Sequence, residues 1–254
     1  MTIKSRIRDL LRTRGYDIVA FPSPDFDEHF LATYNTVKPY TLTSPERVFA
    51  VVEATRYAVH NGIPGSFVEC GVWRGGSMMA VADTLQDLDT TDRELYLFDT
   101  FEGMAKPTAA DRRHDGESAD ALLARERKDV ADSTWCVADQ ADVAANMART
   151  GYPAERVHLI RGKVEDTVPD AAPETIAVLR LDTDWYESTK HELEHLFPRV
   201  SPGGVLIIDD YGWWQGARTA VDGYLAETGV PLLLQRVDYT ARVAVVPGLP
   251  TPSS

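Results

Sequence analysis

The sequence predicts a three-layer α/β sandwich on a mostly parallel seven-stranded sheet, with one antiparallel strand near the C-terminus. Three observations predict it. From residue 66 onward, short runs rich in Val, Ile and Leu alternate with longer amphipathic segments, the rhythm of strands joined by crossover helices. The strand runs are apolar throughout rather than alternating, as expected where helices cover both faces of a sheet. The last two runs, 232–236 and 242–246, are joined too tightly for a crossover, so one must run antiparallel.

The elements follow in order. Ile3, Ile7, Leu10 and Leu11 stand at helical spacing and predict a short amphipathic helix over 3–14. FPSPDFD, 21–27, is a proline-bearing break. Ser44-Pro45-Glu46 is a helix start, with Ser as N-cap and Pro at the first position. Val48, Val51, Val52, Thr55 and Val59 give that helix a buried face, and Asn61-Gly62 ends it. Residues 1–60 are expected to form a helical extension and 61–254 the main domain. Within it, 66–70 and 94–98 read as strands around a helix at 77–88. The stretch 106–135 is polar and charged with few core residues, and predicts a mobile insertion or lid holding one helix, 118–128. A helix at 138–150 ends at Gly151. Strands at 157–161 and 176–181 follow, then a helix at 188–197 stopped by Pro198. An apolar strand at 205–208, a helix across 219–227 and the two closing strands complete the domain. The tail, GLPTPSS, is expected to be a loose end.

Composition excludes several classes. With 254 residues and 44% hydrophobic content, the chain can bury a core. Its net charge of −13 repels phosphate backbones, and no Lys/Arg run offsets it, so no nucleic-acid partner is expected. Two cysteines, Cys70 and Cys136, cannot make a disulfide scaffold, which suggests a reducing compartment. The charged N-terminus lacks the apolar core of a secretory signal, so the expected location is cytoplasmic. No apolar run approaches the ~18 residues of a membrane helix. The apolar face of the N-terminal helix predicts self-association, as a homodimer.

FVECGVWRGGS, 67–77, runs strand, glycine loop, helix. Gly71 allows a sharp turn, and Gly75-Gly76 allow backbone to approach a ligand closely. Ser77 and the first N–H groups of the helix can hold an anion. The loop is neither G-x-G-x-x-G nor a P-loop. Glu69, near the strand end, favours a cationic or hydroxyl-bearing ligand over a pyrophosphate. Asp99 ends the next strand, where an acid can accept hydrogen bonds from both hydroxyls of a ribose.

At this point the chain resembles a family. PYTLTSPER, FVECGVWRGGS, LFDTFEGM, GYPAERVHLIRGKVEDTVP, LRLDTDWYEST and PGGVLIIDDYG are similar, in this order, to motifs of the macrocin, mycinamicin and novobiocin sugar O-methyltransferases. The resemblance runs from about residue 39 to 246. It implies the class I methyltransferase fold, a Rossmann-like sandwich, with S-adenosylmethionine as methyl donor and Mg²⁺ as cofactor. It implies that Glu69, Gly71, Gly75, Ser77 and Asp99 line the cofactor site, with Tyr40 and Thr41 closing over it and residues 161–166 edging the adenine. The first 38 residues and the insertion match no motif, and are expected to choose the acceptor, a small molecule or an oligosaccharide.

Two features compete for a metal. His191-Glu192-Leu193-Glu194-His195 fits the zinc-hydrolase string H-E-x-x-H. However, Leu193, Leu196, Phe197 and Val200 form the apolar stripe there, no third ligand is identifiable, and the string is expected to be a solvated helix face. The acids are the stronger pattern. Asp182 ends one strand, and Asp209 and Asp210 end the next. If those strands are neighbours, the carboxylates converge, and without a cation they would repel and take up a proton. Oxygen-only ligands suit Mg²⁺. The alternative is that these acids cap helices or pair with Arg180 and Arg218. The resemblance makes Asp182, Asp209 and Asp210 the metal ligands and Asp184 the catalytic base. A base must stand beside the metal without being spent on it, and Asp184 lies two residues past Asp182. Tyr186, Tyr211, Trp213 and Trp214 offer a wall for a sugar ring, or ordinary loop packing. His114, in the insertion, reaches the acceptor only if the insertion closes. Two other functions remain open: methylation of a catechol-like aromatic diol, and a non-catalytic S-adenosylmethionine-binding module.

Overall fold

The computed structural model describes residues 3–14, 21–130 and 133–248. The tail at 249–254 lies outside them. Helix α1 (Ile3–Arg12) is followed by α2 (Glu28–Val37) and α3 (Pro45–His60). At α2 the Asp27 carboxylate accepts the Phe30 N–H at 2.6 Å, while Phe30, Thr33 and Val37 face the core. The sequence reading passed over this helix, although Asp27 is a competent N-cap. At α3 the Ser44 hydroxyl caps the Arg47 N–H, with Pro45 at the first position, as expected.

Strands β1 (Ser66–Cys70), β2 (Leu95–Asp99), β3 (Val157–Arg161), β4 (Ile176–Leu181), β5 (Val200–Ile208), β6 (Gln235–Arg236) and β7 (Arg242–Val245) form one sheet of order β3-β2-β1-β4-β5-β7-β6. Only β7 runs against the others, as it pairs antiparallel with both β5 and β6. β6 is shorter than the expected strand. Residues 232–234 lie outside it: Leu232 and Leu234 pack on the core while Leu233 is 83% exposed.

Helices α4 (Gly76–Asp87) and α6 (Gln140–Ala148) join α2 and α3 on one face, over Phe67, Leu97 and Ile207. Helices α8 (Tyr186–His195) and α9 (Gln215–Thr228) cover the other, over Val68, Leu179 and Leu206. β1 is buried at every position, which is why its sequence does not alternate. The insertion is less simple than expected. Its helix α5 (Ala119–Arg125) buries Ala119, Leu122 and Leu123 against Trp185, Trp214 and Ala217. The reading of few core residues there is therefore corrected: these small apolar positions are hidden in a charged sequence, and they fill a core of their own. A four-residue helix, α7 (Val164–Thr167), follows β3.

The chain builds β1, β2 and β3 outward in one direction, then returns to lay β4 beside β1. The order reverses between β1 and β4, and the carboxyl ends on either side of that reversal open a crevice. The loops after β1, β2, β4 and β5 all meet there.

Candidate active site

A cavity of about 440 Å³ occupies this crevice. One end is made of backbone. Gly71 has φ +80, and a Cβ there would overlap the Asp182 carbonyl oxygen, so the loop after β1 and the loop after β4 touch with no side chain between them. Gly75 has φ +84 and stands as the N-cap of α4. A Cβ on Gly76 would lie 2.6 Å from the Tyr40 carbonyl oxygen, so the segment before α3 rests directly on the glycine loop. Asp99 holds the loop: its Oδ2 accepts the Val72 and Trp73 N–H groups at 2.8 and 3.2 Å, and its Oδ1 accepts the Phe101 N–H at 2.8 Å. Burial raises its pKa while those bonds pull it down, with a net rise.

Of the residues expected at the cofactor, Thr41, Gly71, Ser77 and Asp99 line the cavity. Glu69, Gly75 and Tyr40 do not line it. The Tyr40 ring lies 5.0 Å beneath the Arg74 guanidinium, and Glu69 is 1% exposed and ion-paired with Arg180. Lys163 and Glu165, within the segment expected at the adenine, line the cavity as well.

The other end is made of charge. β4 and β5 are neighbours, and the ladder runs past their ends: the Asp182 N–H donates to Cys70 O at 2.8 Å and the Asp209 N–H to Leu181 O at 2.9 Å. Oxygens of Asp182, Asp184 and Asp210 lie within 4.8 Å of one another, a group able to hold a metal ion. Burial pushes Asp184 up to about 7, with Asp182 and Asp209 adding to the rise. Burial and neighbouring carboxylates push Asp182 and Asp210 well above the usual range. Asp210 Oδ2 is buried with no hydrogen-bond partner. Carboxylates that repel one another around an unpartnered oxygen fit a hard divalent cation.

Asp209 is placed differently. Its Oδ2 pairs with Arg47 of α3, and its Oδ1 accepts Arg180 Nη2 at 2.6 Å. Arg180 also pairs with Asp182 at 2.7 Å and lies directly across the β1–β4 ladder from Glu69. Arg47 reaches Asp238, in the β6–β7 turn, at 3.1 Å. Burial opposes the charge on both arginines, but the surrounding carboxylates outweigh it and raise their pKa values. Of the two arginines that could pair with these acids, Arg180 does so, and Arg218 pairs with Asp222 at 3.5 Å. Arg47 and Asp238 went unremarked. The signal for the Arg180–Glu69 pair was present: one cation and one anion sit in strands otherwise apolar.

The aromatic wall also differs. Trp213 and Trp214 line the cavity together with Trp73, Trp185 and Tyr239. Tyr186 and Tyr211 do not, and the Tyr211 hydroxyl donates to Asp222 at 2.7 Å. His114 is exposed and lies against the Trp213 ring, with centroids 4.7 Å apart. The H-E-x-x-H string forms no metal group among the described residues. His191 bonds Val168 O at 2.9 Å and packs on His195. Glu192 corrects the expectation of a solvated face: it is 0% exposed, neither oxygen is hydrogen-bonded, and burial pushes its pKa well above the usual range.

A glycine loop after β1, an acid after β2, and the site at the strand-order reversal of a sheet with one reversed strand define a class I, Rossmann-like methyltransferase. The comparisons name the family. Residues 10–244 match the model of the macrocin O-methyltransferase family, and the chain belongs to it. It is 33% identical over 199 residues to demethyldecarbamoylnovobiocin O-methyltransferase of Streptomyces niveus, covering 78% of this chain and 72% of that one. It is 34% identical over 205 residues to mycinamicin III 3''-O-methyltransferase of Micromonospora griseorubida, covering 81% and 77%. The structure of the O-methyltransferase NovP superposes with a TM-score of 0.72 at 30% identity, covering 82% of this chain and 83% of that one. The protein is therefore an S-adenosylmethionine-dependent O-methyltransferase. No helix among the described residues is long and apolar enough to cross a membrane.

Proposed function

We propose that this enzyme methylates a hydroxyl of a sugar, carried by a glycosylated natural product or an oligosaccharide, with Mg²⁺ at the acid cluster. The observation that carries the reading is the meeting of two strand-end acid groups with the glycine loop in one cavity. The mycinamicin relative, named for a 3''-hydroxyl, and the novobiocin relative point to the acceptor class. A cation held there would lower the pKa of an acceptor hydroxyl and orient its oxygen.

The chain's own residues do the rest. The loops after β1 and β2 would hold the donor beside the acids. The aromatic rim of Trp73, Trp213 and Tyr239 excludes water and seats an apolar ring face. The donor, when bound, would supply a sulfonium methyl group to the acceptor oxygen, and Asp184 would take the hydroxyl proton. Holding oxygen and carbon within about 3.5 Å supplies much of the rate. In the first reading Asp182, Asp209 and Asp210 hold the cation. The convergence of Asp182, Asp184 and Asp210 supports a second, in which Asp184 is a ligand and Asp209 an arginine-held brace. Mg²⁺ affinity separates them: Asp209→Asn weakens it in the first, Asp184→Asn in the second.

The test of function is methyl transfer from labelled donor to a panel of glycosides and catechols, with and without EDTA. Transfer to glycosides that EDTA abolishes supports the reading. Transfer to catechols alone, or full activity in EDTA, ends it. We also propose a cytoplasmic homodimer, supported by the exposed Ile7 and Leu10 of α1 and by two free cysteines; a monomer in sedimentation equilibrium would remove the dimer.

A further inference from the structure

Asp111 is 0% exposed, although the segment around it is charged and mostly open to solvent. It belongs neither to the acid cluster nor to the cavity lining. Its Oδ2 accepts the Thr108 N–H at 2.6 Å and the Thr108 hydroxyl at 2.9 Å. Its Oδ1 accepts the Tyr186 N–H at 2.7 Å. Tyr186 is the first residue of α8, two places beyond Asp184. The same Oδ1 fills a notch at Gly216, where a Cβ would overlap it. Gly216 lies in the first turn of α9, just past the loop that carries Asp209 and Asp210. One carboxylate therefore sits against the chain that leaves each acid-bearing strand end.

Neighbouring backbone makes the same connection. The Gln215 N–H donates to Arg112 O at 2.8 Å, and the His114 N–H donates to Trp213 O at 2.7 Å. The Trp185 indole N–H donates to Ala105 O at 3.0 Å. The Trp185 and Trp214 rings, one from each acid-bearing loop, meet edge to face at 4.9 Å over the apolar face of α5. These contacts reach residues close behind Asp184 or Asp210. A buried carboxylate needs donors that hold one geometry, since each lost bond leaves an unsatisfied buried group. Here the donors come from Thr108 and from the first residue of α8, and α9 closes on the same carboxylate through the bare backbone of Gly216.

We propose that Asp111 is a positioning residue that fixes the spacing between the loop of Asp182 and Asp184 and the loop of Asp209 and Asp210. The insertion that is expected to choose the acceptor is then also the frame of the acid cluster. This rests on the reading of that cluster as a Mg²⁺ site, so the experiment carries a readout that does not need the metal. Full-length Asp111→Ala, Asp111→Asn and Gly216→Ala are compared with wild type. Mg²⁺ and S-adenosylmethionine affinities are measured by calorimetry, and backbone hydrogen exchange over 182–188 and 209–217 is followed by mass spectrometry.

Asp111→Ala is expected to raise exchange in both loops and to weaken Mg²⁺ binding at least tenfold. S-adenosylmethionine affinity stays within threefold. Asp111→Asn falls between wild type and the alanine variant, because its amide oxygen still accepts the Tyr186 N–H while its NH2 faces the Thr108 N–H that Oδ2 accepts in the wild type. Gly216→Ala, which pushes on Asp111 from the α9 side, reproduces the alanine variant and decides the matter if that variant does not fold. Exchange that rises only over 182–188, with Mg²⁺ affinity unchanged, makes Asp111 a local cap of α8 and overturns the proposal. If wild type binds no Mg²⁺, the metal reading fails, and the exchange in the two loops still decides the role of Asp111.

Discussion

The two ends of the cavity are built by opposite means. The end proposed for the donor is backbone: glycines at 71, 75 and 76, with Asp99 committed to three N–H groups. The acid end is a buried charge lattice of Glu69, Arg180, Asp182, Arg47 and Asp209, with Asp184 and Asp210 beside it. The difference teaches where each end is fragile. Backbone contacts fail when a methyl group is added. Charge lattices fail when one partner is removed, because the others stay buried without compensation.

The sharpest break of that comparison is Gly71→Ala, where the two ends touch. The added Cβ meets a backbone carbonyl that cannot move, and φ +80 is itself unfavourable for alanine. Destabilisation of ~4 kcal/mol or more is expected, read as loss of soluble protein or a collapsed melting transition. Arg180→Met should come next, lowering stability by ~3–5 kcal/mol because three carboxylates lose their shared cation; denaturant unfolding measures it. Asp182→Ala and Asp210→Ala should leave donor affinity within a few-fold and cut turnover by roughly a thousandfold, seen in calorimetry and steady-state assays side by side. Asp99→Asn tests the donor end alone: one oxygen becomes a donor facing N–H groups, donor binding weakens about tenfold for the ~1.4 kcal/mol of a lost bond, and Mg²⁺ affinity holds.

Glu192→Gln is the smallest effect and has the opposite sign. Folding raises the Glu192 pKa, so above the ordinary glutamate range the unfolded chain ionises while the folded chain keeps its proton. Stability therefore falls as pH rises from that range toward the folded pKa. Glutamine removes this penalty. The melting temperature should rise by ~2–4 °C at pH 8, with the gain shrinking as the pH is lowered toward the glutamate range; a constant gain across pH would count against the account.

Much of this was legible in the sequence because it is written locally. The strand runs, the Ser44 cap, the 67–77 loop and the acids at strand ends are each set by neighbours in the chain. What escaped is set by distance along it. Arg47 meets Asp209 across 162 positions, and Asp111 meets Tyr186 across 75. Neither residue carries a pattern that shows its partner. Glu192 was misplaced for a related reason: a charged residue between His191 and Leu193 reads as surface until the sheet above α8 is known. Helix α2 was missed because its start follows a proline break, although Phe30, Leu31, Tyr34 and Val37 stand at helical spacing.

The seam at Gly71 sets the limits of change in this enzyme. The glycine loop and the acid group are separated there by the thickness of two main chains, a gap that no side-chain exchange can widen. Catalysts redesigned for bulkier glycosides must therefore draw their diversity from the outer aromatic rim around Trp213 and Tyr239. Libraries that randomise the strand tips will return mostly inactive chains.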